Sequence, residues 1–372
     1  MLVEWSARSP YPMTDSPSSI SERKQDHLDI VLEQDVSAKG IRTGFERFFF
    51  EHVALPELHL DQIDLSSHFL GKRLQAPLLI SSMTGGTGSA HEINLQLAAA
   101  AQHLGIAMGV GSQRAALEHP ELTWTYQVRK VAPDILLLAN LGAVQLNYGY
   151  GLEQARRAVE MIEADGLILH LNPLQEAVQP HGDRDWRGLY ARIEQLVAQL
   201  PVPVVVKEVG NGLSATVARR LAECGVAVLD VAGAGGTSWS EVEAHRQPDP
   251  LRKRIAHAFV GWGIPTALAL LEIRRQLPHL PLVASGGIRN GIDVAKAIRL
   301  GANLVGMAAP VLRAVCGAQE QAVIEAIQAV IEELRIAAFC TGSSDLNRLK
   351  QATLRRQDTW DPVPTPRSPA TG

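Results

Sequence analysis

The chain has 372 residues, of which 46% are hydrophobic, 20% charged and 5% aromatic, and its formal net charge is −4. This is the composition of a globular protein with ample core, and it excludes disorder of the whole chain. The weak negative charge, without any cluster of Lys and Arg, leaves no phosphate-backbone footprint, so no nucleic-acid partner is expected.

Residues 1–20, with Ser-Pro-Tyr-Pro and Ser-Pro-Ser-Ser, read as a flexible tail in which Met13 competes with Met1 as initiator. They lack the basic start and apolar core of a signal peptide, and no apolar run in the chain approaches the roughly 18 residues of a membrane span. A cytoplasmic protein without a membrane partner is expected. Residues 21–77 contain no βα unit and are expected to cap an end of the domain that follows.

From Leu78 to about residue 349, eight short apolar runs alternate with amphipathic stretches. The strands are predicted at Leu78–Ser82, Ile106–Gly111, Ile135–Asn140, Gly166–Leu171, Val202–Val209, Val226–Val231, Leu282–Ser285 and Leu304–Met307. Helices are predicted at about Ala90–His103, Glu121–Val131, Leu152–Glu163, Trp186–Leu200, Ala215–Cys224, Pro265–Gln276, Gly291–Leu300 and Ala318–Phe339. Runs such as Ile135–Ala139 and Val204–Val206 are continuously apolar, as parallel strands buried on both faces must be. Eight such units favour a closed (β/α)8 TIM barrel with an N-terminal capping segment over an open doubly wound sheet. The stretch Gly233–Gly263 is long for a βα loop, which marks a functional excursion, and residues 350–372 are assigned to a C-terminal tail. Cys224, Cys316 and Cys340 are too scattered for a disulfide framework or a metal site.

In such a barrel the chemistry sits at the C-terminal ends of the strands. After the seventh and eighth strands come Ser285-Gly-Gly-Ile-Arg289 and Gly306-Met-Ala-Ala309, which let backbone N–H groups approach a phosphate. A single Gly-Gly speaks for a tight turn; two glycine-bearing loops on adjacent strands favour the phosphate. Lys207 interrupts an apolar strand and needs an anionic partner, either the N1–C2=O edge of a flavin or an internal carboxylate such as Glu208 or Asp230. Ser82, Thr84, Ser112 and Asn140 add short polar groups suited to a flavin edge, although each could equally cap a helix. Arg23-Lys24 and Ser112-Gln113-Arg114 form a second cationic set, suited to a diphosphate if the N-terminal segment folds over the mouth. Glu176, beside Gln175 and placed in a loop, is a candidate Mg2+ ligand alongside the ordinary reading of a surface carboxylate.

Arg23-Lys-Gln-Asp-His-Leu28, Met83-Thr-Gly-Gly86, Gly111-Ser-Gln-Arg114, His170-Leu-Asn-Pro-Leu-Gln-Glu176, Gly235-Gly-Thr-Ser-Trp239 and Ser285-Gly-Gly-Ile-Arg-Asn-Gly291 together resemble the type 2 isopentenyl-diphosphate delta-isomerases. The run from His170 to Glu176 is specific to that family, whereas Gly-Gly-Ile-Arg is shared with other FMN barrels. The resemblance implies interconversion of isopentenyl and dimethylallyl diphosphate with reduced FMN and Mg2+, NADPH or another reductant loading the flavin. It assigns Gln175, with His170 and Trp239, to the reacting carbon, and Glu176 to Mg2+. Arg23, Lys24, Ser112, Gln113, Arg114 and Gln175 would bind the substrate. Ser82, Met83, Thr84, Ser112, Asn140, Lys207, Thr237, Gly287, Ile288, Arg289, Ala308 and Ala309 would surround FMN. It also implies a homotetramer or homo-octamer. Two readings compete with it: an FMN barrel that oxidises 2-hydroxy acids with His170 as base, and a flavin-binding protein without catalysis.

Overall fold

The computed structural model describes residues 17–315 and 320–365. Eight parallel strands close on themselves: β1 (Leu78–Ile80), β2 (Ala107–Gly109), β3 (Leu137–Gly142), β4 (Gly166–Leu171), β5 (Val204–Glu208), β6 (Val228–Asp230), β7 (Leu282–Ala284) and β8 (Leu304–Met307). Each strand pairs with its chain neighbours, and β8 returns to β1 through Val305↔Leu78, Gly306↔Leu79 and Met307↔Ile80. The barrel is therefore closed, and no strand presents an open edge.

Alternation along the strands divides the side chains between two apolar layers. Every strand gives an inward residue to one cluster: Leu79, Ala107, Leu138, Ile168, Val205, Val228, Val283 and Leu304. Their alternate neighbours face the surrounding helices in a second and larger core.

The capping segment serves both ends of the barrel. Its hairpin, Ser67–Phe69 with Lys72–Leu74, sends Phe69 and Leu74 into the inner cluster. Lys72 reaches the Asp134 carbonyl and the Asp165 carboxylate, which precede β3 and β4, so the hairpin plugs the N-terminal end. Helix α1 (Pro17–Glu33) lies at the opposite end, where Lys24, His27, Leu28 and Val31 line the cavity. These four follow the spacing of one helix face. The chain after α1 is tied to the loop beyond β6, with Ala38 N–H donating to the Gly236 carbonyl at 2.8 Å and Ser238 N–H to Val36 at 2.8 Å.

Several boundaries differ from the sequence expectations. The expected N-terminal tail ends in helix, since α1 begins at Pro17; residues 1–16 lie outside the described residues. In place of a helix at Glu121–Val131, a short helix α2 (Arg114–Glu118) meets a 3-10 turn at Pro120–Tyr126. Pro120 has no N–H to continue the first helix, and its ring disfavours helical geometry at His119. The long segment after β6 carries two helices, α4 (Trp239–Arg246) and a further one at Pro250–His257.

Residues 350–365 are not a tail. Leu354–Arg356 pairs antiparallel with Phe48–Phe50, and the buried Arg299 guanidinium donates to the carbonyls of Ala352, Val363 and Pro364. The sequence shows three residues of no special pattern here. Their pairing depends on a strand about 300 positions away in the chain. The rest of the expected tail, 366–372, lies outside the described residues, as does Cys316.

Candidate active site

A cavity of about 680 Å3 opens at the C-terminal ends of the strands beneath α1. One wall is the pair of loops after β7 and β8. Gly286 and Gly287 adopt φ of +99° and +74°, and a Cβ on them would stand 2.2 Å from the Gly233 carbonyl oxygen and 2.5 Å from Thr43 Cγ2. Only glycine satisfies both the backbone conformation and this approach. Gly287, Ile288, Arg289, Ala308 and Ala309 all line the cavity here, with Thr237 adjoining from the β6 loop.

The floor is polar. Register places Gly142, His170, Lys207 and Asp230 side by side on β3 to β6. Lys207 is 8% exposed and donates to the Glu208 carbonyl at 2.6 Å; among the described residues no carboxylate forms an ion pair with it. Both candidate carboxylates feel the Lys207 charge, but each directs its hydrogen bonds elsewhere. Glu208 turns its carboxylate to the backbone N–H groups of residues 209–212, and Asp230 accepts from Ser285 Oγ at 2.7 Å. Burial, and then the nearby Lys207 charge, lower the His170 pKa to about 3, so the ring is neutral at working pH. Its Nδ1 faces Asn140 Oδ1 at 2.8 Å, and Asn140 Nδ2 donates to the Val110 carbonyl.

Across the cavity, Met83, Thr84 and Ser112 line the mouth near Ser82, whose Oγ is buried without a hydrogen-bond partner among the described residues. An unpartnered buried hydroxyl, a lysine ammonium whose only hydrogen bond among the described residues is to a carbonyl, and a glycine cradle that rejects side chains fit the polar edge and phosphate of FMN.

The opposite wall carries the second cationic set. Lys24 Nζ donates to the Ser112 carbonyl at 3.0 Å and to the buried Tyr126 hydroxyl. Burial, followed by the Arg23 charge, brings its pKa down to about 7. Arg114 is held by Glu118 at 2.8 Å and by Asp183 at 2.9 Å, and Arg23 lines the same cavity.

Beside Arg114 runs α3 (Pro173–Val178), which carries the pair Gln175-Glu176. Asn172 donates to Gln175 Oε1 at 3.1 Å and to Glu176 Oε1 at 3.0 Å, while Gln175 Nε2 donates to Glu243 at 3.0 Å. Glu176 also accepts from Gln179 and from the Asp183 N–H at 2.7 Å. Burial raises its pKa, and the Asp183 charge works in the same direction. These contacts leave lone-pair capacity on the carboxylate. A buried carboxylate not paired with a cation, beside a diphosphate-sized basic set, fits Mg2+, which takes one or two protein carboxylates and fills its shell with phosphate oxygens and water.

A family model described as FMN-dependent dehydrogenase matches residues 18–121 and 159–356. The isopentenyl-diphosphate delta-isomerase of a Synechocystis species is 62% identical over 343 residues, covering 92% of this chain and 97% of that protein. The protein of the same name from Stutzerimonas stutzeri is 62% identical over 340 residues, covering 91% and 98%. The chain belongs to the FMN-dependent, type 2 isopentenyl-diphosphate delta-isomerase family. Among solved structures, a flavocytochrome b2 variant with pyruvate bound gives a TM-score of 0.67 at 18% identity, covering 94% of this chain and 88% of that one. A lactate oxidase of Pediococcus acidilactici gives 0.62 at 15% identity, covering 94% and 97%. At such identities the likeness concerns the barrel alone.

Within this member of the isomerase family, two sequence expectations need correction. Gln113, expected at the substrate, is fully buried away from the cavity; its side chain donates to the Ala158 carbonyl at 2.8 Å and accepts from Asn140 N–H at 2.9 Å. It braces the β2 and β3 loops. Glu176 lies in a short helix and is 6% exposed, not in a surface loop, because Pro173 opens a helical turn directly after β4.

Reading strand ends alone misses His27 and Glu243. His27 Nε2 lies 2.9 Å from Glu243 Oε1, and its ring meets Trp239 edge-on at 5.3 Å. Burial would raise the Glu243 pKa, but hydrogen bonds from His27 and Gln175 and the Arg246 charge hold it below the usual value. A signal for both existed: His27 is one turn beyond Arg23 and Lys24, and Glu243 is four residues beyond Trp239.

Proposed function

We infer that the chain interconverts isopentenyl and dimethylallyl diphosphate, adding a proton at one carbon and removing one from another so that the double bond moves. The observation that carries this reading is the joining of two anion-binding walls in one cavity, the glycine cradle on one side and Arg23, Lys24, Arg114 and Glu176 on the other. When bound, reduced FMN would supply an electron-rich, proton-bearing ring. Lys207 places a positive charge where the reduced ring would be anionic. Gln175, fixed by Asn172 and Glu243, positions a proton near the reacting carbon, and Trp239 offers a π face to positive charge developing there. Glu176 would hold Mg2+, which would supply positive charge for the diphosphate, and α1 covers the mouth against water.

Oxidation of a 2-hydroxy acid has weaker support. A base at His170 whose conjugate acid lies near 3, paired with an amide and no carboxylate, is poorly matched to proton abstraction at neutral pH. The reading includes NADPH as the electron source, a cytoplasmic setting and a homotetramer or homo-octamer; light scattering of the holoenzyme checks the assembly.

The deciding assay is anaerobic. Holoenzyme reduced with NADPH converts isopentenyl diphosphate with Mg2+ and no net change in flavin absorbance. Flavin reduction by a 2-hydroxy acid, or FMN binding without turnover, refutes the isomerase.

The Lys24 ammonium gives a pH prediction. With its pKa near 7 in the free protein, Lys24 is charged below pH 7 and loses its proton above it, so diphosphate affinity falls as pH rises through that value. Measured between pH 6 and 9, KM climbs on the alkaline side in the wild type. In Lys24→Arg, which stays charged throughout, the climb flattens. An identical slope in both proteins assigns the titration to another group.

A further inference from the structure

The carboxylate of Asp183 and its backbone N–H serve two different parts of the diphosphate wall. Oδ2 accepts from Arg114 Nη1 at 2.9 Å and from Gln145 Nε2 at 3.0 Å, while the N–H donates to Glu176 Oε2 at 2.7 Å. Its carbonyl accepts from Trp186 Nε1 at 3.0 Å, and the residue is 7% exposed. The preceding turn is tightly built. His181 has φ of +56°, and a Cβ on Gly182 would lie 1.9 Å from the Glu176 carbonyl oxygen. The loop therefore rests directly on α3 and has little freedom to move apart from it.

We propose that Asp183 is the positioning residue of the diphosphate site, setting the Arg114 guanidinium and the Glu176 carboxylate at a fixed separation so that one metal-bound diphosphate engages both. The proposal rests on the functional reading above for the identity of the substrate, but its geometry concerns only the two groups and the residue between them. Glu118 and Asp183 both pair with the Arg114 guanidinium, so at this corner of the wall a cation held by Glu176 adds to the positive charge that Lys24 and Arg23 bring from α1. Asp183 contributes in two ways: its carboxylate aligns the Arg114 fork, and its N–H holds the Glu176 carboxylate beside it. Metal and diphosphate binding are thereby coupled through one residue, as when residues behind metal ligands tune affinity without touching the metal.

Calorimetry of the oxidised holoenzyme provides a test independent of turnover. Inorganic diphosphate and isopentenyl diphosphate are titrated across a range of Mg2+ concentrations into the wild type, Asp183→Asn and Asp183→Ala. Asparagine keeps the shape and the backbone N–H but removes the charge. In Asp183→Asn both ligands are expected to bind about 10–100-fold more weakly at fixed Mg2+, with the melting temperature and flavin spectrum unchanged. In turnover the same loss raises KM far more than it lowers kcat. Unchanged binding overturns the proposal, and so does a loss of affinity that tracks a lowered melting temperature or loss of FMN, because that marks a purely structural residue. Failure of the wild type to isomerise overturns the functional reading instead, while the inorganic diphosphate titration still judges Asp183.

Discussion

Gln175→Ala is expected to lower turnover by about 10²–10⁴-fold, the range of a positioned proton-transfer group, while FMN affinity stays unchanged. The expectation follows from where Gln175 stands. Its amide is held from both sides, by Asn172 at Oε1 and by Glu243 at Nε2, and it lines the cavity without belonging to the glycine cradle. Removing it leaves the flavin wall intact and takes away an oriented group beside the substrate. Stopped-flow turnover with reduced enzyme, compared with FMN titration of the apoprotein, measures the two effects separately. A parallel fall in flavin affinity and rate would show that Gln175 acts through the cofactor. Turnover near the wild-type level would remove it from the chemistry altogether.

Glu208→Ala is expected to destabilise the fold by about 3–5 kcal/mol and to weaken FMN binding as a consequence. One carboxylate oxygen accepts from Val209 N–H at 2.6 Å, Gly210 at 2.7 Å, Asn211 at 2.5 Å and Gly212 at 3.2 Å. Glu208 is 4% exposed, so alanine leaves the partly buried N–H groups of Val209, Gly210 and Asn211 without this acceptor, while Gly212 keeps the Ala232 carbonyl; a fully buried unpaired donor costs about 1–3 kcal/mol, and partial exposure and water entry reduce the sum. The loop so organised places Val209 and Gly210 in the cavity wall, and a Cβ on Gly210 would lie 2.8 Å from the Thr237 carbonyl oxygen. Calorimetric melting of apo and FMN-loaded protein checks the claim. Glu208→Gln, which keeps an acceptor in place, loses less. An unchanged melting temperature in the alanine variant means that water satisfies the loop and the carboxylate is dispensable.

Much of this molecule follows from short-range pattern. The βα alternation is legible because parallel strands buried on both faces must be continuously apolar, as Val204–Val206 are, while the intervening helices must keep one polar side. The glycine cradle is equally local, since Gly286 and Gly287 adopt conformations that disfavour side chains. Arg114, Glu176 and Arg289 announced themselves by following predicted strands, Lys207 by interrupting one, and all four line one cavity.

Other features required the folded chain, and the reasons differ. Gln113 follows a strand as its neighbours do, yet the chain turns there to start the helix at Arg114, so Ser112 and Arg114 reach the cavity while Gln113 points to Ala158 in the surrounding helix layer. The loop residue Asp183 has no periodic signature, and its importance arises only because α3 and the loop after β2 bring Glu176 and Arg114 to it. The residues before Pro362 resembled a tail because their partners, Phe48–Phe50 and Arg299, are remote in sequence. Local chemistry in the sequence determined the barrel, the glycine cradle and the list of charged groups. Only tertiary packing decided which charges face one another, because a pairing between distant segments is paid for by the whole fold and leaves no periodic trace in either segment.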